Sequence, residues 1–134
     1  MKSAVLLIGA GTVLATTTAL AQVAVTRPVP RGNAGQWVDI ASASPEQLKK
    51  LEGKSVPINY TLTVGPHGRA TACTHDGKQA MGKEFGDLTC TQAMRRARFT
   101  AASDANGNPV ESSYSGRVMW AEGDVPGAIR LTPP

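Results

Sequence analysis

Val56, Ile58, Tyr60, Leu62 and Val64 alternate with Pro57, Asn59, Thr61 and Thr63. A period of two describes a strand with one buried face, and this is the clearest periodic signal in the chain. Pro57 near its start suits a strand end or edge. Gly65-Pro66-His67-Gly68 follows as a four-residue hairpin turn, so residues 69–74 return as a second strand. The small residues Ala70 and Ala72 leave room there for a helix packed across the sheet. Residues 75–86 (HDGKQAMGKEFG) are polar and hold three glycines, which reads as a loop. Asp87 then caps a helix running to about Ala97. Cys90, Ala93, Met94 and Ala97 form its one narrow apolar face, and Arg95, Arg96 and Arg98 at its end complement the helix dipole.

Residues 103–109 (SDANGNP) make a second turn-rich loop. Val110, Ser112, Tyr114, Gly116, Val118 and Trp120 then alternate with Glu111, Ser113, Ser115, Arg117 and Met119. The first half of this long strand is polar on both faces, so it is weakly committed to a core and has the pattern of a sheet edge. Upstream, Ser44-Pro45-Glu46-Gln47 spells a helix start, with Ser44 as cap, Pro45 at the first helical position and Gln47 returning the capping bond. Leu48 and Leu51 face inward in this reading, and Gly53 ends the helix. Trp37 and Ile40 belong to a short arm that docks on the domain. Residues 22–36 read as an extended, mobile linker that reaches at most about 50 Å, and residues 122–134 as a loose tail. The sum is an α+β fold: a small three-stranded antiparallel sheet in β-β-α-β order, one main helix packed on it, and a short N-terminal helix.

A length of 134 residues suits one small domain. Aromatic content is only 4%, so the core depends on aliphatic residues and on Trp37, Tyr60, Phe99 and Trp120 as anchors. The chain opens as an export signal: Lys2 gives a positive start, residues 4–15 are apolar, and Ala19-Leu20-Ala21 is a small-x-small cleavage site before Gln22. An uncleaved membrane anchor is the rival reading. A spanning helix wants about 20 largely apolar residues, whereas Gly9, Gly11 and four threonines interrupt this segment. The first cysteine is Cys73, which argues against a lipid anchor. Cleavage lowers the formal charge of +4 by one, and much of the remaining excess sits at Arg95, Arg96 and Arg98.

Candidate chemistry is sparse. Two cysteines in an exported chain point to a disulfide, and a Cys73–Cys90 bridge would close a loop of about 18 residues worth roughly 3 kcal/mol. A metal site starting from Cys73 and His75 fails on number, since the chain holds two cysteines and two histidines and His67 sits in a turn. Cys73 and His75 share a strand face, so a thiolate–imidazole pair is geometrically open, but oxidation of Cys73 removes it. No nucleophile elbow, zinc-protease motif or phosphate loop is present. The reading is therefore no enzyme, no cofactor and no metal. Nucleic acid is excluded as a partner, because the basic cluster has only Phe99 beside it.

The ordered set Gly53, Val56, Leu62-x-Val64, Gly68-Arg69, Cys73, Thr89-Cys90, Arg95-Arg96-Ala97-Arg98-Phe99, Ala102, Asp104-Ala105-x-Gly107-x-Pro109-Val110 and Val118-x-Trp120 resembles the C-terminal domain of TonB-family energy transducers, in its cysteine-containing version. The resemblance covers about residues 37–121. It implies a periplasmic role in which a short segment of an outer-membrane receptor pairs with the last strand of the sheet, a case of β-augmentation. The partner-binding residues so implied are Glu111, Ser112, Ser113, Tyr114, Ser115, Gly116, Arg117 and Val118. The sequence departs from the family upstream: residues 4–21 carry no charge or histidine, the linker is short, and Ser44-Pro45 stands where Tyr-Pro is usual. The expectation is a freestanding periplasmic binding module for a protein or peptide, open to homodimerisation and touching the membrane only if residues 1–21 stay uncleaved. An inner-membrane transducer component and a structural envelope protein without a peptide ligand are the alternatives.

Overall fold

The computed structural model describes residues 23–121 and 130–132. The export signal and its cleavage site lie outside them, as do residues 122–129 of the tail. Among the described residues, no helix is long and apolar enough to cross a membrane. The elements are α1 (Pro45–Lys50), β1 (Ser55–Val64), β2 (Ala70–His75), α2 (Ala80–Arg96), β3 (Ser112–Ala121) and β4 (Arg130–Thr132). The fold is α+β, with α2 laid across an antiparallel sheet of order β2-β1-β3-β4.

That sheet has four strands where three were expected. The tail supplies the fourth, with Arg117, Val118 and Met119 opposite Thr132, Leu131 and Arg130. Two short antiparallel ladders also interrupt the simple β-β-α-β order. One joins Val29–Pro30 to Phe99–Thr100, the other Ala102–Ser103 to Pro109–Val110. The first involves the expected linker, which is held to the domain: Val25 and Thr26 N–H donate to Ser103 O at 2.8 and 3.2 Å, and Arg31 N–H to Arg98 O at 2.8 Å. These are backbone bonds, so no apolar period announces them.

Strand β1 buries Ile58, Tyr60, Leu62 and Val64, as its alternation requires. In β2 the phase differs from the expected one. The register runs Thr63↔Ala72 then Val64↔Ala70, leaving Thr71 as an extra residue, a bulge. One inserted residue moves Ala72 to the exposed face and puts Ala70, Cys73 and His75 on the helix side. In α1 the Ser44–Gln47 capping box is present, yet only Leu51 is buried; Leu48 is 37% exposed.

Helix α2 begins at Ala80, two turns before Asp87, which lies inside it. The glycines that read as a loop serve close packing. A Cβ at Gly86 would lie 2.2 Å from His75 Nδ1, and one at Gly77 would lie 2.0 Å from Gly82 O. The buried face of α2 is Phe85, Gly86, Thr89, Gln92 and Ala93, wider and more polar than the Cys90–Met94 stripe. Its polar members are bonded into the core: Trp120 Nε1 donates to Thr89 Oγ1 at 2.9 Å, and Thr89 Oγ1 donates to Phe85 O at 2.7 Å. Gln92 Oε1 accepts from Asp39 N–H at 2.7 Å and Ser42 Oγ at 3.1 Å, which fixes the arm carrying Trp37. Trp37 is buried against the Phe99 and Tyr114 rings at 5.0 and 5.8 Å.

Candidate functional site

Strand β3 is paired along its whole length with β1, from Ser55↔Ala121 to Val64↔Ser112. On its other side, β4 covers Arg117, Val118 and Met119 alone, so Ser112 to Gly116 have no strand neighbour there among the described residues.

The phase of that open edge follows from one bond. Asp76 N–H donates to Asn59 O, so Asn59 turns its backbone toward β2. Backbone groups alternate between the two neighbours along an antiparallel strand. Ile58, Tyr60, Leu62 and Val64 therefore bond to β3, through Val118, Gly116, Tyr114 and Ser112. Ser113, Ser115, Arg117 and Met119 turn outward. Arg117 and Met119 are the outward residues within the stretch β4 covers, and among the described residues the N–H and C=O of Ser113 and Ser115 have no strand partner.

The eight residues expected to bind a partner thus divide. Glu111 is an exposed joint between the small ladder at Pro109–Val110 and β3. Ser112, Tyr114 and Gly116 turn inward: Tyr114 packs on Trp37 and Phe99, and a Cβ at Gly116 would lie 2.5 Å from the Tyr60 hydroxyl. Arg117 and Val118 face the chain's own tail. Of the eight, Ser113 and Ser115 combine exposed side chains with an outward backbone that β4 does not cover, and Ser115 Oγ lies 3.3 Å from Thr61 Oγ1.

Cys73 and Cys90 are joined by a disulfide that ties β2 to α2. Beside it, His75 Nδ1 accepts the Gly77 N–H at 3.1 Å, so the ring proton sits on Nε2, which meets Asp87 Oδ1 at 2.8 Å. Lys83 Nζ holds the other Asp87 oxygen at 2.8 Å. The Lys83 and His75 hydrogen bonds, in that order, keep the Asp87 carboxyl below its ordinary pKa. A sequence reading that made Asp87 a helix cap missed this cluster; the helical spacing of Lys83 and Asp87 was its only local signal.

A groove of about 530 Å³ separates the start of β1 from the start of α2, with Lys54, Lys78 and Asp76 on its walls. Both Asp76 oxygens are engaged, by Asn59 N–H at 2.9 Å and Asn59 Nδ2 at 2.7 Å. Those bonds lower the Asp76 pKa, the side-chain one most. No group of three or more potential metal ligands occurs among the described residues. Comparison with protein-family models, with curated proteins and with solved structures returns no match.

Proposed function

We propose that this chain is a periplasmic binding module of the TonB C-terminal type, which takes up an extended peptide by adding it to the outer edge of β3. The observation that carries this reading is the outward backbone of Ser113 and Ser115, without a strand partner among the described residues, on a strand paired along its whole length with β1. An incoming strand that continues the line of β4 meets those groups first, and main-chain bonds supply its affinity. The Cys73–Cys90 bridge supports an oxidising compartment. The ordered motifs shared with TonB C-terminal domains support a segment of an outer-membrane transport protein as the partner. In this reading the module works by contact, with no bond made or broken and no cofactor.

Synthetic peptides from the periplasmic ends of outer-membrane receptors test it, with binding followed by fluorescence anisotropy and amide exchange. A binding peptide slows exchange at Ser113 and Ser115. Ser113→Pro removes one outward N–H without touching the ladder to β1, and it abolishes that binding while leaving the fold intact. Equal binding by Ser113→Pro, or protection elsewhere on the surface, overturns the proposal. So does the absence of any binding peptide.

A further inference from the structure

The arm at residues 23–31 has one outward face. Val23, Val25 and Val29 are 75, 64 and 58% exposed, and Arg27 and Arg31 between and after them are exposed as well. The intervening positions turn toward the body: Pro28 is buried, Ala24 and Pro30 are half-buried, and Thr26 Oγ1 bonds Ser103. Large exposed aliphatic residues are otherwise rare here, since Leu48 alone joins the three valines among the described residues.

The arm lies beside more arginine. Arg31 is bonded through its backbone to Arg98, and Arg98 is the cross-strand partner of Arg69. Arg95 and Arg96 occupy the last turn of α2 immediately before. Like charges directly opposite each other on paired strands destabilise a fold, and no ion pair among the described residues neutralises either arginine. The three ion pairs among the described residues use Lys50, His75 and Lys83, and none uses an arginine. Arg96 and Arg98 spend part of their guanidinium on the carbonyls of Gln36, Arg95 and Ala97. Arg27, Arg31, Arg69 and Arg95 make no such bond among the described residues and are exposed.

We infer that this face seats on an anionic phospholipid surface, with arginines on headgroup phosphates and the three valines in the interface. Guanidinium groups match phosphate oxygens in pairs, and aliphatic side chains among arginines suit the boundary between headgroups and acyl chains. Continuity adds to the charge match. The arm leads directly back into the apolar run at residues 4–15, so a retained leader and this face engage the same membrane. The inference stands apart from the peptide edge, which uses different residues, Ser113 and Ser115 of β3.

Flotation of the full chain with vesicles tests it. Wild type prefers phosphatidylcholine vesicles containing 30% phosphatidylglycerol over pure phosphatidylcholine by on the order of a hundredfold at low salt, and the preference collapses at high salt. Residues 1–21, where present, carry Lys2 and are the same in every variant, so the change in ratio between variants isolates the arginines. Arg31→Gln/Arg69→Gln/Arg95→Gln brings the ratio close to one, while Lys49→Gln/Lys54→Gln/Lys78→Gln, an equal loss of charge, keeps it. Val25→Ser/Val29→Ser weakens binding to acidic vesicles with every charge retained. Equal loss in the lysine set, no preference in wild type, or insensitivity to the valine change with polyglutamate as an equal competitor each overturns the inference. The last outcome marks an acidic protein as the partner instead.

Discussion

Gly86 of α2 lies against the ring of His75, so closely that a Cβ on it would sit 2.2 Å from Nδ1. The ring is held on both sides, by Gly77 N–H and by Asp87, and has little room to retreat. Helix propensity and packing therefore predict opposite signs for Gly86→Ala. Propensity favours alanine by about 1 kcal/mol, while overpacking costs about 1–3 kcal/mol. The substitution destabilises the protein in urea denaturation, and in a His75→Ala background the same change becomes stabilising. The sign reversal is the diagnostic.

The disulfide connects a strand to a helix across a sequence separation of 17. Closing such a loop stabilises by about 3 kcal/mol in the chain-entropy model, a large share of the stability of a domain this size. Cys73→Ser/Cys90→Ser lowers the urea midpoint accordingly, and reductant lowers the wild-type midpoint to the same value while leaving the variant unmoved.

Local signals explain what was legible. The alternation of residues 56–64 and the Ser44–Gln47 capping box depend on neighbours a few positions away, and both stand in the structure. The first two turns of α2 do not, because Gly82 and Gly86 answer to Gly77 and His75 on other elements. The phase of β2 turns on a bulge at Thr71 that no residue type announces. The arm and β4 are held by backbone bonds to residues 98–103 and 117–119, which leave no side-chain period. The proposed contact edge was legible as polarity, from Glu111 to Val118, but its phase came only from the pairing of β1.

Tyr60 is buried above Gly116, and desolvation, aided by the nearby Tyr114, pushes its phenol up to about 12. The folded form keeps its proton where the unfolded chain, titrating near 10, has lost it. This contribution is complete below pH 10 and falls as pH rises from 10 to about 12, by roughly 1.4 kcal/mol per pH unit. Denaturation midpoints measured between pH 9.5 and 11.5 decline more steeply for wild type than for Tyr60→Phe, which has no proton to release.

Asp76 and Asp87 act at the other end of the pH scale. Asn59 stabilises the Asp76 carboxylate, and Lys83 and then His75 stabilise that of Asp87, so both folded pKa values are depressed. Their contribution is present above the ordinary carboxylate range and is lost as pH falls through the folded values. Both carboxylates are exposed, and salt screens the effect. Asp76→Asn and Asp87→Asn each flatten the acid limb of the stability curve below about pH 4, and the difference from wild type shrinks in high salt.

Strand β4 occupies the part of the β3 edge next to Ser113 and Ser115, so under the proposed strand addition the chain's own tail competes with the incoming peptide. A ligand that pairs beyond Ser115 must displace Arg130–Thr132, and the fraction of molecules with the tail released sets its apparent affinity. Net backbone hydrogen bonds are worth about 0.5–1.5 kcal/mol each, so removing the tail returns on the order of tenfold in affinity. Deleting residues 130–134 strengthens binding of a peptide long enough to reach Met119, and leaves unchanged a peptide that ends opposite Ser115. Anisotropy titrations with the two lengths separate the effects. Equal tightening of both peptides would show that the tail acts on the whole edge, and no tightening of either would show that it does not compete.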